Sequence, residues 1–296
     1  MKIRKRDRSA NLEDRRGQRM PLGKTAMVGG PIGIIIAVVL LLMNGGLGGG
    51  GGGGTGFDPS DILSGLPGLQ PAVPGSTPFA DGPDPDAELV DFVSFVLDDV
   101  QALWQDQFSV SGQAYEPATL VLFTDATQSG CGPASSATGP FYCTLDKKVY
   151  LDLGFFEELD ERFGAPGDFA QAYVIAHEIA HHVQNETGVS SEVQRRSQEN
   201  PEERNELSIR LELQADCLAG VWGSTVYEAG LLESGDLEEG LAAAASVGDD
   251  RIQQSTTGRI DPESWTHGSA EQRVEWFRKG FDSGSAATCD TFSGDY

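Results

Sequence analysis

The sequence predicts a mostly helical α+β domain with a small sheet, preceded by an N-terminal stretch of different composition. Long segments after residue 84 repeat apolar residues at helical spacing, whereas only two short runs resemble strands. The 296 residues are 39% hydrophobic, which permits one sizeable core, and the 38 glycines indicate that part of the chain is not globular.

The chain begins with a basic stretch followed by an apolar one. Residues 1–25 contain nine Lys or Arg against three acidic residues, and residues 26–43 form an uncharged, mostly apolar run of 18. As a helix, this run spans about 27 Å, near the lower limit for crossing a bilayer. No small-x-small site obviously ends it, so we predict an uncleaved transmembrane anchor, with a signal peptide as the alternative. The basic flank predicts a single-pass protein of the cell membrane, with residues 1–25 in the cytoplasm and the remainder outside.

A flexible linker is predicted over residues 44–83. The segment from Asn44 to Gly56 is nearly all glycine, and the following residues add Pro, Gly, Ser and Asp with little periodicity. Phosphate-binding glycine loops need a preceding strand and a following helix, and neither pattern is present here. The folded domain is therefore predicted over residues 84–296.

The charge of the external part is strongly acidic. Beyond residue 25 there are 12 basic and 42 acidic residues, a net charge of −30. Nucleic acid and anionic lipid are poor partners for such a surface, and a basic substrate is favoured over an acidic one. The alternative explanation is solubility or adaptation to a salty environment.

Apolar spacing predicts the scaffold of the domain. In the first helix, Val93, Val96 and Val100 recur near helical spacing. The predicted elements are a helix over 84–108, strands over 120–123 and 148–153, a buried helix over 167–188, a helix over 200–227, an Ala-rich helix over 237–247, and a helix over 269–281 that starts with a capping box.

The buried helix from Gly167 to Gly188 has Asp168 as its predicted N-cap. Its residues 177–181 read His-Glu-Ile-Ala-His, an H-E-x-x-H motif. Little polarity precedes the motif, because residues 173–176 are Tyr, Val, Ile and Ala. Buried histidines need partners, so this helix is the first place to look for a metal site.

His177 and His181 are four residues apart, so they lie on one helical face and can present two imidazoles to one metal ion. Glu178 projects about 100° round the axis, beside the metal, where a base for a metal-activated water would stand. The alternative is that both histidines are core residues bonded to backbone carbonyls. His182 lies on the face of Glu178, and we interpret it as a structural or outer-shell group.

A catalytic zinc site usually has three protein ligands and one open position, so a carboxylate is required. The helix over 200–227 carries Glu212 and Asp216 four residues apart, beside an apolar stripe. A carboxylate pair at the edge of a buried face is costly unless it binds something. We predict that Glu212 is the third ligand and that Asp216 accepts the second ring N–H of a histidine. The alternative is an ordinary solvated face.

The four cysteines fit an oxidising compartment. Cys131 and Cys143 bracket a Gly-, Ser- and Pro-rich loop that a disulfide would order. A bond between Cys217 and Cys289 would pin the C-terminal tail to the second metal-binding helix. Four cysteines permit three pairings, and the sequence does not choose among them. Cysteine as a zinc ligand is disfavoured because no C-x-x-C spacing is present.

At this point the chain resembles known proteins. The H-E-x-x-H helix followed by E-x-x-x-D is similar to gluzincin metallopeptidases, and several motifs resemble the bacterial family of putative neutral zinc metallopeptidases. These motifs are Cys131-Gly132, Gly139-Pro140-Phe141-Tyr142-Cys143, Val149-Tyr150-Leu151-Asp152, Ala176 to Gln184, Leu213-Gln214-Ala215-Asp216-Cys217 and Thr266-His267-Gly268-Ser269. The resemblance covers most of the chain. It implies a zincin-like fold, one Zn²⁺ per chain and peptidase activity.

Two further expectations come from the same resemblance. A late histidine in gluzincins stabilises the tetrahedral oxyanion, so His267 is expected to do so here, with Arg273 as a weaker candidate. The alternatives are that His267 bonds to local backbone and that Arg273 simply pairs with a nearby carboxylate such as Asp216. By resemblance, the strand over residues 149–153 is expected to be the edge that pairs with extended substrate.

Together these features predict a membrane-anchored, extracytoplasmic zinc metallopeptidase that hydrolyses peptide bonds. Its expected partners are a peptide or protein substrate and the membrane, through the N-terminal helix, and not nucleic acid. One alternative is a noncatalytic, zinc-stabilised binding or chaperone-like module. Another is a zinc amidase that acts on cell-wall peptides. The sequence predicts neither the natural substrate nor the oligomeric state.

Overall fold

The computed structural model describes residues 1–4, 7–18 and 83–293. The predicted anchor over 26–43 and almost all of the predicted linker over 44–83 lie outside these residues. In the described part, no helix is both long enough and apolar enough to cross a membrane.

The described chain is a mostly helical α+β structure with a small sheet, as predicted. Its strands are β1 (Leu12–Asp14), β2 (Thr119–Phe123), β3 (Ala126–Ser129), β4 (Gly132–Ser135), β5 (Phe141–Cys143) and β6 (Lys148–Asp152). Its α-helices are α1 (Ala87–Val110), α2 (Gly154–Glu161), α3 (Asp168–Glu186), α4 (Val189–Glu199), α5 (Arg204–Glu228), α6 (Asp236–Ser246), α7 (Asp249–Thr257) and α8 (Ala270–Ser283). Each helix and strand predicted within residues 84–296 has a counterpart within a few residues of its predicted bounds.

The main sheet has the order β1-β2-β6-β5, with the first three strands parallel and β5 antiparallel at one edge. β2 and β6 read as near-continuous apolar runs because both lie in the interior of the sheet. The expectation that residues 149–153 form an edge is therefore wrong: β6 lies between β2 and β5. The edge strands are β1 and β5, and β3 and β4 form a separate antiparallel pair.

The start of α3 differs slightly from the prediction. Gly167, not Asp168, is the N-cap, and its φ of 114° is one that L side chains rarely adopt. A Cβ at Gly167 would also lie 2.1 Å from the carboxylate of Glu239. The carboxylate of Asp168 instead accepts hydrogen bonds from the Met1 ammonium group.

Helices α5 and α8 pack at backbone distance, because each presents a glycine to the other. A Cβ at Gly220 would lie 2.0 Å from the carbonyl oxygen of Phe277, and a Cβ at Gly280 would lie 1.9 Å from that of Cys217. Any side chain at either glycine would force the helices apart. This close packing fixes the second half of α8 against the helix that carries Glu212.

The described N-terminal residues belong to the same folded unit as the domain. β1 pairs in parallel with β2, and Ser9 N donates to the hydroxyl of Ser94 on α1. The Arg16 side chain is 3% exposed, and its Nη2 lies 2.7 Å from carboxylate oxygens of both Asp14 and Asp84. Residues 1–25 were expected to lie across a membrane from the domain. A single crossing between residues 18 and 83 would separate β1 from β2, so that arrangement and this pairing exclude each other.

Two disulfides close the structure: Cys131 with Cys143, and Cys217 with Cys289. The first holds the loop after β3 to the edge strand β5. The second ties the C-terminal tail to α5, next to Asp216 in the chain. With all four cysteines paired, none serves as a metal ligand.

Candidate metal centre

Two imidazoles and one carboxylate meet between α3 and α5. His177 Nε2 lies 3.2 Å from Glu212 Oε2, and His181 Nε2 lies 3.4 Å from Glu212 Oε1. One ligand atom from each residue lies within 4.8 Å of the others, as a shared metal ion requires. The two histidines are one helical turn apart, so their rings meet edge to face with centroids 4.7 Å apart. The structure thus brings together the three predicted ligands.

The contacts of the two Nδ1 atoms indicate which nitrogen of each imidazole carries the proton. His177 Nδ1 lies 2.9 Å from Asp216 Oδ1, and His181 Nδ1 lies 2.8 Å from Gln184 Oε1. The Gln184 amide is oriented by its NH₂ group, which donates to the Leu211 carbonyl at 2.7 Å. Because both partners are acceptors, each ring keeps a proton on Nδ1, and Nε2 is left as the nitrogen that can bind a metal ion. A His₂Glu donor set in this protonation state fits a zinc ion.

Three donor groups hold the Asp216 carboxylate in addition to the ring of His177. Tyr173 donates its hydroxyl proton to Oδ1, and Arg273 donates from Nε to Oδ2 at 2.8 Å and from Nη2 to Oδ1 at 2.9 Å. Burial raises the pKa of Asp216, but the charges of Arg273 and His177 outweigh it, and the pKa is lowered. Asp216 therefore stays ionised and fixes the ring of His177. Arg273 is 4% exposed and bound to Asp216, which is the alternative that the sequence left open for it.

The three clustered groups perturb one another strongly. Burial lowers the pKa of His177, but Asp216 and Glu212 outweigh it and raise the pKa to about 9. Burial raises the pKa of Glu212, yet the positive charges and hydrogen bonds of His181 and His177, together with the charge of His267, hold it well below its usual range. The site therefore keeps Glu212 as a carboxylate, which is the form that binds a cation.

Glu178 is buried beside this cluster without belonging to it. Its side chain follows His177 on α3, and the residue is 8% exposed. Burial raises the pKa of the Glu178 carboxyl, and the charges of His181 and His177 oppose that rise. A carboxyl group with a raised pKa next to a metal position can accept and return a proton near neutral pH.

His267 lies outside the three-ligand cluster, on the loop that leads into α8. Its side chain is 40% exposed, and its Nδ1 lies 3.1 Å from Asp249 Oδ1. A Cβ on the next residue, Gly268, would lie 3.4 Å from the Leu213 side chain, so this loop lies against the helix that carries Glu212. The structure thus puts His267 on a loop that packs against a ligand helix, outside the ligand set.

His182 is a structural residue in these contacts. It is fully buried, its Nε2 lies 2.7 Å from the carbonyl oxygen of Glu116, and its Nδ1 lies 3.0 Å from the hydroxyl of Tyr142. Asn185 also donates to that hydroxyl at 3.1 Å. Tyr142 is in the middle of β5, so His182 and Asn185 hold β5 against α3.

Three residues of the site were missed by sequence reasoning. Tyr173 and Gln184 lie four residues before His177 and three after His181, so helical spacing could have placed both beside the ligands. Asp249 has no such spacing to the ligands, because its contact with His267 depends on how α7 meets the loop before α8.

Comparisons with known proteins identify a family and several relatives of this chain. The sequence model of the family described as "Putative neutral zinc metallopeptidase" matches residues 1–292. The chain is 42% identical over 299 aligned residues to "Uncharacterized protein YpfJ" of Escherichia coli K12, with 97% of each chain covered. It is 47% identical over 205 residues to "Uncharacterized protein Rv2575" of Mycobacterium tuberculosis H37Rv, covering 66% of this chain and 67% of that one. No solved structure matches.

The family match begins at residue 1 and so includes the segment that supplies β1. It also spans every residue of the candidate centre. The chain therefore belongs to the putative neutral zinc metallopeptidase family.

Proposed function

We propose that this protein is a zinc-dependent peptidase that hydrolyses peptide bonds with a water molecule. The observation that carries the proposal is the shared orientation of the two imidazoles. Both Nδ1 atoms are engaged by acceptors, so both Nε2 atoms face the carboxylate of Glu212. A zinc ion held there supplies Lewis acidity, which acidifies a water molecule and polarises a carbonyl group.

The chain's own residues supply the remaining chemistry. His177, His181 and Glu212 hold the metal. The Glu178 carboxylate takes a proton from the attacking water and passes it to the nitrogen of the leaving amine. The ring of His267 donates a hydrogen bond to the oxygen that becomes negative when the carbonyl carbon is attacked.

Extended substrate is proposed to bind along β5, the edge strand of the main sheet that contacts α3. β5 offers backbone groups on the side that does not pair with β6, and Tyr142 fastens the strand to α3 near the motif. Main-chain pairing to an edge gives affinity with weak sequence preference. This proposal moves the substrate edge from β6, where it was expected, to β5.

The proposed location is outside the cytoplasm. The two disulfides support it, because such bonds persist in oxidising compartments. We keep a membrane anchor over residues 26–43 as a proposal from composition only in a form that does not cross the bilayer once, because a single crossing would separate β1 from β2. The pairing of β1 with β2 adds the condition that the N-terminal strand and the domain share one side of any membrane.

The buried Glu178 also separates the proposal from its alternatives. A noncatalytic module with a structural zinc needs only its ligands. It has no use for an additional buried carboxyl group, such as that of Glu178, which binds no metal. A zinc amidase would use the same groups on a different amide. Profiling cleavage of peptides against cell-wall fragments distinguishes these two hydrolases.

The test is Glu178→Gln in the full-length chain, with Glu186→Gln on the same helix as the control. We expect both variants to bind one zinc per chain by metal analysis. Glu178→Gln should lose at least about 100-fold in kcat against a peptide library, whereas Glu186→Gln should retain activity. Undiminished turnover by Glu178→Gln would refute the assigned chemistry.

A further inference from the structure

The loop that carries His267 is held by one carboxylate. Asp249 Oδ2 accepts the backbone N–H groups of Thr266 at 2.7 Å, His267 at 2.6 Å and Gly268 at 3.2 Å. The backbone N–H of Asp249 donates in return to the Gly268 carbonyl at 2.9 Å. The first residue of α7 thus fixes three consecutive peptide groups around His267.

The second oxygen of the same carboxylate contacts the ring. Asp249 Oδ1 lies 3.1 Å from His267 Nδ1, and the hydroxyl of Thr266 also lies 3.1 Å from that nitrogen. Because an ionised carboxylate only accepts, Nδ1 carries a proton. Nε2 is then the ring nitrogen left to contact a substrate oxygen.

The charges around His267 favour its protonated form. Burial lowers the pKa of His267, but the hydrogen bond to Asp249 and the charges of Glu212 and Asp249 outweigh burial and the opposing charge of Arg273, so the pKa is raised. With both nitrogens protonated, Nδ1–H binds Asp249 and Nε2–H is a donor for a developing oxyanion.

Asp250 shows what a purely structural carboxylate does at the same helix end. Its Oδ1 accepts the backbone N–H of Ala270 at 2.7 Å, so it too docks α7 onto the start of α8. It makes no hydrogen bond to His267 in the described structure. Asp249 and Asp250 therefore share the docking role, and only Asp249 adds contact with the imidazole.

We propose that Asp249 is a positioning residue that holds His267 by its Nδ1 and by its backbone, so that Nε2–H faces the reacting carbonyl. This inference rests on the proposed function of the metal centre. It adds a charged partner on a third helix, α7, to the groups contributed by α3 and α5.

The first test compares Asp249→Asn with Asp250→Asn in the zinc-loaded full-length protein. The amide introduced by Asp249→Asn keeps an oxygen for the backbone N–H groups but turns an NH₂ toward Nδ1, so the ring loses its charge and its proton moves to Nε2. We expect kcat to fall by about 10- to 100-fold with KM changed by less than about two-fold, and the alkaline limb of the kcat profile to move to lower pH. Asp250→Asn should retain kcat within about two-fold. Equal kcat and equal pH profiles for wild type and Asp249→Asn would overturn the proposal.

The second test needs no turnover. The chain has four histidines, so ¹⁵N spectra of the imidazole nitrogens can be assigned with His267→Gln as the blank. Above the pKa of His267, we expect the Nδ1–H tautomer in wild type and in Asp250→Asn, and the Nε2–H tautomer in Asp249→Asn. An unchanged His267 tautomer in Asp249→Asn would overturn the positioning role. If wild type cleaves no peptide, the proposed function fails, and the tautomer alone then decides whether Asp249 holds the ring.

Discussion

Gln184 Oε1 lies 2.8 Å from Nδ1 of His181, and the same amide donates to the carbonyl of Leu211 on the helix that supplies the third ligand. One side chain therefore orients a ligand ring of α3 and bridges it to α5. Gln184 contacts His181 as Asp216 contacts His177, but with a neutral amide in place of a carboxylate. Both ligand histidines thus have an acceptor behind them that fixes the proton on Nδ1.

Gln184→Leu should weaken zinc binding without unfolding the domain. The ring of His181 would lose the acceptor that selects its tautomer, so we expect zinc affinity to fall by about 10- to 100-fold in competition titrations with a chelator. Gln194→Leu on α4, where the side chain is exposed, is the control and should bind zinc like wild type. Equal affinities for wild type and Gln184→Leu would show that the hydrogen bond does not orient the ligand.

Asp216→Asn should cost both stability and metal affinity. The substitution leaves the charge of the buried Arg273 without its carboxylate, and we expect about 3 kcal/mol less free energy of unfolding. Zinc affinity should also fall, because His177 loses a charged acceptor. Adding Arg273→Met to Asp216→Asn should recover part of the stability but none of the zinc affinity. Recovery of both would mean that Asp216 acts only through the fold.

Local periodicity explains which parts of the site could be predicted. His177, His181 and Glu178 follow from helical spacing alone, and Glu212 follows from the stripe of the next helix, because both relations lie within single elements. The pairing of Asp249 with His267 joins residues 18 apart, at the first residue of α7 and on the loop before α8, and no periodic pattern predicts such a contact.

The sheet shows the same limit. β2 and β6 are apolar enough to be recognised, yet their neighbours are set by tertiary packing. β1 is three residues, Leu12 to Asp14, in a basic stretch, and only its pairing with β2 more than 100 residues later makes it a strand. Sequence pattern therefore assigns the edge to the wrong strand, and it does not indicate that Leu12 to Asp14 pair with the domain.

Arg16→Met should destabilise the domain, since it leaves the carboxylates of Asp14 and Asp84 facing each other without a cation. Because those side chains are 27% and 16% exposed, we expect a loss of about 2 kcal/mol, less than for a fully buried pair. Arg8→Met, whose pair with Asp91 is exposed on both sides, is the control and should cost less than about 1 kcal/mol. Urea unfolding at neutral pH measures both.

The effect of Arg16→Met should also depend on pH. The hydrogen bond from Arg16 lowers the pKa of Asp84 below its ordinary value of 3.8. A lowered carboxyl pKa contributes stability that is present above the ordinary value and is lost as the pH falls through the folded value. The stability difference between wild type and Arg16→Met should therefore be largest near neutrality and shrink below about pH 4. A difference that grows in acid would contradict this linkage.

Because β1 pairs with β2, the N-terminal strand should lie on the same side of the membrane as the domain. Single cysteines at two exposed positions, Ala10→Cys near β1 and Val110→Cys at the end of α1, report the location of the two parts separately. Treating intact cells with a membrane-impermeant maleimide should label both positions or neither, and permeabilised cells should label both. Labelling of Val110→Cys alone in intact cells would mean that the membrane separates β1 from β2. The two strands then could not pair in the cell. Labelling of both would place the strand and the metal centre together outside the cytoplasm, where the two disulfides are stable.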